Sequence, residues 1–206
     1  MKYIIAAIFF LFGCKHEEIK TDVEVSSQFK SDWSDIPQSK QWDEIVLNAL
    51  DLYGQGMLLT KSVKDGKQFC ANFDKLSIAE KKEFYLMLIS SMARYESGFK
   101  PSSQYKESFK DDHGENIISR GLLQISKGSS QYYGCGITDA QMLHDPKMNL
   151  ECGVKILNKW IVKDGCVACR TDKWLGGARY WSVLRETRSP FLKIQNKTKS
   201  LNICKG

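Results

Sequence analysis

The chain has 206 residues, 42% of them apolar and 11% aromatic. That is enough to fill one core, and it excludes wholesale disorder and collagen-like or low-complexity structure. Thirty Lys and Arg against 24 Asp and Glu give a net charge of +6, too mild and too interspersed to argue for a nucleic-acid partner but suited to an anionic polymer. The chain begins with Lys2 ahead of an apolar run from Tyr3 to Phe12. The run is too short to span a bilayer as a helix and matches the core of a signal peptide, which predicts that residues 1–13 are a leader.

The run ends in Leu11-Phe12-Gly13-Cys14, which resembles the lipobox of bacterial lipoproteins. The resemblance implies that Cys14 carries lipid and becomes the mature N-terminus. Phe12 is bulkier than the usual residue of that motif. Lys15, where an aspartate would hold such a protein in the inner membrane, points to the outer membrane facing the periplasm, with secretion as the alternative. Export makes disulfides the default for the six remaining cysteines, 70, 135, 152, 166, 169 and 204. Fifteen connectivities are open for six cysteines; local bridges Cys166–Cys169 and Cys135–Cys152, with Cys70–Cys204 tying the ends, are the expected set. Cys166 and Cys169 lack a second pair at zinc spacing. His113 and His144 likewise lack partners, so neither metal nor cofactor is expected.

Residues 14–38 are polar and irregular and read as a flexible tether, leaving 39–206 as the folded domain. Trp42, Ile45, Val46, Ala49, Leu50, Tyr53 and Met57 recur at helical spacing. Leu76 to Tyr95 is the clearest helix, with Ser77 and Glu80 as a capping box, Phe84, Met87, Leu88 and Met92 as a buried stripe with Ile89 beside it, and Gly98 and Pro101 at its end. Asp145-Pro146 starts another, as an N-cap followed by proline at the first helical position. Further helices are expected over Thr171–Arg185 and from Ser189-Pro190 onward. The pattern predicts a mainly α fold with a small β-hairpin near 110–119.

Glu96 stands at the C-terminal end of the second helix, where the dipole disfavours its charge, and is flanked by Tyr95 and Phe99. Both features raise a carboxyl pKa and suit a general acid. Against this stands the ordinary case of a solvated glutamate. The rest of the pattern decides: Glu96-Ser97-Gly98-Phe99-x-Pro101, then Ser119-Arg-Gly-Leu-Leu-Gln124, then Asp145-Pro-x-x-Asn149-Leu-x-x-Gly153 with Leu157, then Tyr180. The series resembles the soluble lytic transglycosylases and their goose-type lysozyme relatives over about 77–180.

That resemblance implies a lysozyme-like fold and cleavage of peptidoglycan between N-acetylmuramic acid and N-acetylglucosamine. It makes Glu96 the single catalytic acid/base with Tyr180 beside it, and Ser119, Gly121, Leu123 and Gln124 substrate-binding, Gly121 by letting the backbone approach the sugar. Asp145, Pro146 and Asn149 read as cap and packing. Two departures bear on activity. Arg179-Tyr180-Trp181 replaces Ala-Tyr-Asn, so Trp181 reads equally as sugar platform or core. Ser126 stands where the lysozymes carry a second acid, which favours the non-hydrolytic route to 1,6-anhydro ends. In that route the muramic acid's own O6 attacks, and the one glutamate serves first as acid and then as base. Glu107, Asp111, Asp112 and Glu115, in the segment after Glu96, leave hydrolysis by a second carboxylate as the alternative. A non-catalytic wall-binding lipoprotein is the reading outside enzymes. The four acids in an otherwise basic chain also suggest a cationic sugar, that is, acceptance of N-deacetylated glycan. The expected partners are glycan strands and, through the lipid, a membrane; nucleic acid is not expected, and the protein is expected to be a monomer.

Overall fold

The computed structural model describes residues 29–205; the predicted leader, Cys14 and the first part of the predicted tether lie outside the described residues. Three short helices come first, α1 (Ser39–Tyr53), α2 (Gln55–Leu59) and α3 (Gly66–Phe69). The helical period read from Trp42 to Met57 is thus broken at Gly54 into two helices. The next helix, α4 (Ile78–Ser97), opens with the predicted capping box of Ser77 and Glu80 and closes at Gly98 in the left-handed conformation.

Every residue of α4 from Phe84 to Ala93 is buried. The predicted one-sided stripe is therefore too narrow. The helix is covered all round because α1, α2 and α7 (Ser189–Lys199) pack against it. After α4 come β1 (Gln104–Lys110), β2 (Asn116–Arg120) and β3 (Ile125–Ser126) in an antiparallel sheet of order β1-β2-β3. The expected hairpin is real but starts earlier and gains a third strand. Then follow α5 (Lys127–Tyr132) and α6 (Pro146–Asp164). Asp145 caps α6 by accepting from the amides of Lys147 and Met148, and α6 packs along α1.

The helix expected over Thr171–Arg185 does not form. In its place stand β4 (Ala168–Arg170), β5 (Trp174–Gly176) and two 3-10 turns. Gly176, at φ 60°, is the reason the chain turns there: a Cβ would lie 2.4 Å from the Cys166 carbonyl oxygen. The three disulfides are those expected, 70–204, 135–152 and 166–169.

The tether reading of 14–38 is corrected from residue 29 onward. Trp33 is fully buried, and its indole donates to Asp43 at 2.6 Å. Asp32 accepts from the Arg94 guanidinium at 2.6 Å and pairs with Lys197 at 2.7 Å. This segment therefore fastens α4, through Arg94, to α7, through Lys197. One indole without periodicity carries no sequence signal, which is why the fold begins earlier than expected. Trp33→Ala should cost about 3–5 kcal/mol of stability, read from denaturant unfolding. A loss below about 1 kcal/mol would return the segment to the status of a tether.

Candidate active site

A cleft of about 910 Å³ lies between the end of α4, the β1–β2 hairpin and residues 179–190. Glu96, half-buried on the last turn of α4, lines it. Burial first, and the negative charge of Glu107 second, push the Glu96 carboxyl up to about 8. A carboxyl in that state holds its proton at neutral pH and can deliver it.

Glu107 reaches the cleft from β1 and accepts a 2.6 Å hydrogen bond from the Ser119 hydroxyl across the hairpin. Among the described residues it has no cationic partner. Asp111, Asp112 and Glu115, proposed from the sequence as the second carboxylate, do not line the cleft. They sit exposed at the hairpin turn, where Asp111 accepts from the amides of His113 and Glu115. Of the four acids in the segment, only Glu107 faces Glu96's cleft. Strand direction, not sequence proximity, decides this.

Gln124 and Ser126 also line the cleft. Gln124 adopts φ 48°, unusual for a residue with a side chain. Its amide nitrogen donates to the Ser103 and Gly121 carbonyls, while its Oε1 is buried without a partner. An orphaned buried acceptor in a cleft is set to receive a donor from a ligand. The Tyr180 hydroxyl accepts from the Ser126 amide at 3.4 Å, and Tyr180 lines the same cleft as Glu96. The Ser126 hydroxyl caps α5.

Two residues predicted to bind substrate, Leu123 and Gly121, are placed otherwise, and a third, Trp181, is mostly buried. Leu123 is fully buried, and its methyl group would meet a Cβ at Gly153 at 2.2 Å, so it belongs to the core. Gly121, at φ 76°, is where the backbone passes the Leu143 carbonyl and the Asn149 amide; a Cβ there would lie 2.1 Å from that carbonyl. The close approach that requires glycine is to the protein's own α6 side, not to a sugar. Asn149 completes the arrangement, accepting from the Leu123 amide and donating to the Arg120 and Leu143 carbonyls. Trp181 lines the cleft, but it is 2% exposed and donates its indole N–H to the Leu123 carbonyl, so nearly all of the ring is packed in the core. Arg179 pairs with Asp164 at 2.6 Å and lies over Trp160, which absorbs its charge.

Sequence reasoning missed two aromatic residues. Tyr105 and Phe109, on either side of Glu107 in β1, are 60% and 59% exposed and line the cleft. Exposed aromatic faces beside carboxylates suit stacking on sugar rings. Their alternation with Glu107 along Gln104–Lys110 was the available signal. It missed Arg185 and Arg188 too, which line the cleft from the segment before α7. Because Ser119 holds Glu107, Ser119→Ala should lower turnover about tenfold with little change in stability, the worth of one hydrogen bond to a charged group. Unchanged kinetics would mean that Ser119 does not position Glu107.

The family model of the transglycosylase SLT domain matches residues 76–167. Among solved structures, wild-type DslA superposes with a TM-score of 0.83 at 41% identity, covering 86% of this chain and 99% of that one. Two variants of DslA, each with one glutamate replaced by glutamine, superpose at TM-score 0.82, with 40% and 41% identity and 98% and 99% of their chains covered by 86% of this one. No curated protein matches the chain.

Proposed function

Because the chain belongs to the transglycosylase SLT family, whose members are peptidoglycan-cleaving glycosidases, we propose that it cuts the β-1,4 bond between N-acetylmuramic acid and N-acetylglucosamine with Glu96 as proton donor. The observation that carries this reading is Glu96 on the last turn of α4 in a cleft lined by exposed aromatic faces, where burial raises its carboxyl pKa. Peptidoglycan as substrate places the site of action outside the cytoplasm. Among the described residues no helix is long and apolar enough to cross a membrane.

Glu107 carries the choice of product. With one carboxyl protonated and a second carboxylate on the same cleft, Glu96 gives its proton to the glycosidic oxygen and the C1–O bond breaks. The departing sugar leaves with a neutral 4-hydroxyl. Glu107 takes a proton from a water whose oxygen bonds to C1, as in inverting hydrolysis. The two glutamates replaced in the DslA variants are eleven positions apart, the separation of Glu96 and Glu107. A second reading is supported by Ser126 and by the family's lytic transglycosylase chemistry: O6 of the muramic acid attacks and the ends are 1,6-anhydro. In that case Glu96 alone moves the proton and Glu107 is dispensable.

The uncompensated charge of Glu107 also favours a sugar that bears an ammonium, so N-deacetylated glycan is the proposed preferred substrate. The acid on the cleft is Glu107, whereas Asp111, Asp112 and Glu115 face solvent at the hairpin turn. Release of soluble fragments from purified sacculi, acetylated and enzymatically deacetylated in parallel, tests both points. Turnover supports the glycosidase reading, and faster release from the deacetylated wall supports the preference. Absence of turnover on either wall would overturn the assignment in favour of a non-catalytic binder. Cys14 is proposed as the lipid anchor; Cys14→Ser should shift the protein from the membrane fraction to the soluble one, and retention in the membrane would refute it.

A further inference from the structure

The cleft carries positive charge as well as negative. Arg185 and Arg188 both line it, joined by a tight turn in which the Arg188 amide donates to the Arg185 carbonyl at 2.8 Å. Arg185 is half-buried; its Nε donates to the Ala178 carbonyl at 3.1 Å, and its guanidinium lies 5.7 Å from the Trp174 ring centroid. These contacts fix the direction of the guanidinium without neutralising it.

Neither arginine makes an ion pair among the described residues. Glu186, between them in sequence, is directed to Arg170 at 3.9 Å. Arg188 immediately precedes α7, the end of that helix whose dipole disfavours a cation. Burial first, and the charge of Arg188 second, hold Arg185 below its ordinary range. The other cleft arginine, Arg179, is absorbed by Asp164. Two like charges on one turn, facing an open cleft and left uncompensated by the protein, are an arrangement that a bound anion relieves.

Resting on the peptidoglycan reading above, we propose that Arg185 and Arg188 form a carboxylate subsite that reads the acidic substituent of the muramic acid ring. The chemistry is shared by the free lactyl carboxylate of peptide-stripped glycan and the carboxylates of an attached stem peptide. With Glu107 on the hairpin side of the lining, the cleft then has one anionic and one cationic part. A strand whose two sugars differ in charge is accepted in one direction and disfavoured in the other.

The test is binding to the full folded protein carrying Glu96→Gln, by calorimetry at low and moderate salt. Three ligands are used: glycan strands freed of peptide by an amidase, uncrosslinked strands keeping their stem peptides, and a neutral chitin oligosaccharide. At least one acidic glycan should bind ~10-fold or more tightly than the chitin oligosaccharide, with the margin shrinking as salt rises. Which acidic glycan shows the larger margin identifies the carboxylate. Arg188→Gln should reduce the margin and Arg185→Gln with Arg188→Gln remove it, while lysine at both positions restores part of it. Equal binding of all three ligands, or a margin that survives in the double variant, overturns this inference alone. Failure of all three to bind overturns it together with the peptidoglycan reading beneath it.

Discussion

Glu96→Gln should remove cleavage of purified sacculi while leaving the fold intact. The amide keeps the shape of the side chain but has no proton to give, and general acid assistance alone is worth roughly 10²–10⁴-fold. The same change has a thermodynamic signature. In the native protein the Glu96 carboxyl sits near 8, against 4.5 as its ordinary value, so the folded state binds the proton more tightly than the unfolded state. That contribution is complete below about 4.5 and is lost as pH rises through about 8. Wild type should therefore lose stability across this window, by several kcal/mol at most at about 1.4 kcal/mol per unit of pKa. Glu96→Gln should lack the slope and be the more stable protein in alkaline solution. Denaturant unfolding of both proteins at pH 5 and pH 9 reads the difference. Parallel pH dependences, or a glutamine variant with near wild-type turnover, would remove Glu96 from its role.

Glu107→Gln is expected to cost about 100-fold or more in turnover, because it deletes the group proposed to take the proton from water. It should also change the pH profile. Activity falls on the alkaline side as Glu96 loses its proton, and the Glu107 charge is the second cause, after burial, of Glu96's high value. Removing that charge should move the alkaline limb to lower pH, while burial still keeps it above the ordinary glutamate range. A steady-state profile of the residual activity measures both effects. If turnover stays near wild type and the limb does not move, Glu107 is neither base nor electrostatic neighbour.

The parts of this protein that could be read from sequence are those set by local chemistry. Ser77 with Glu80, Gly98 after Ser97, and Asp145 with Pro146 fix helix ends through their nearest backbone neighbours, so α4 and α6 were legible and Glu96 was placed on the last turn of α4. The six cysteines paired as spacing and export suggested. The misreadings depend on contacts between distant segments. Trp33 is buried because Asp43 and Phe99 lie where they do. The 171–185 segment carries apolar residues at helical spacing, yet Gly176 and the backbone of 166–167 turn it into strand and 3-10 turns. Leu123 and Trp181 belong to motifs legible in sequence, but Leu123 turns toward Gly153 in the core, and Trp181, at the edge of the cleft, is held by its indole N–H on the Leu123 carbonyl with 2% of its surface exposed. The second carboxylate was among four acids in sequence, and only the pairing of Tyr105 with Ser119 across the hairpin brings Glu107 to Ser119 and the cleft.

The account turns on Glu96 and Glu107 working as a pair on water. The most direct measurement is mass spectrometry of the fragments released from sacculi digested in ¹⁸O-enriched water. Paired action predicts reducing muramic acid ends carrying one ¹⁸O, produced by the wild type and lost with either Glu96→Gln or Glu107→Gln. Unlabelled 1,6-anhydro ends that persist in Glu107→Gln would contradict it and leave Glu96 as the sole acid/base.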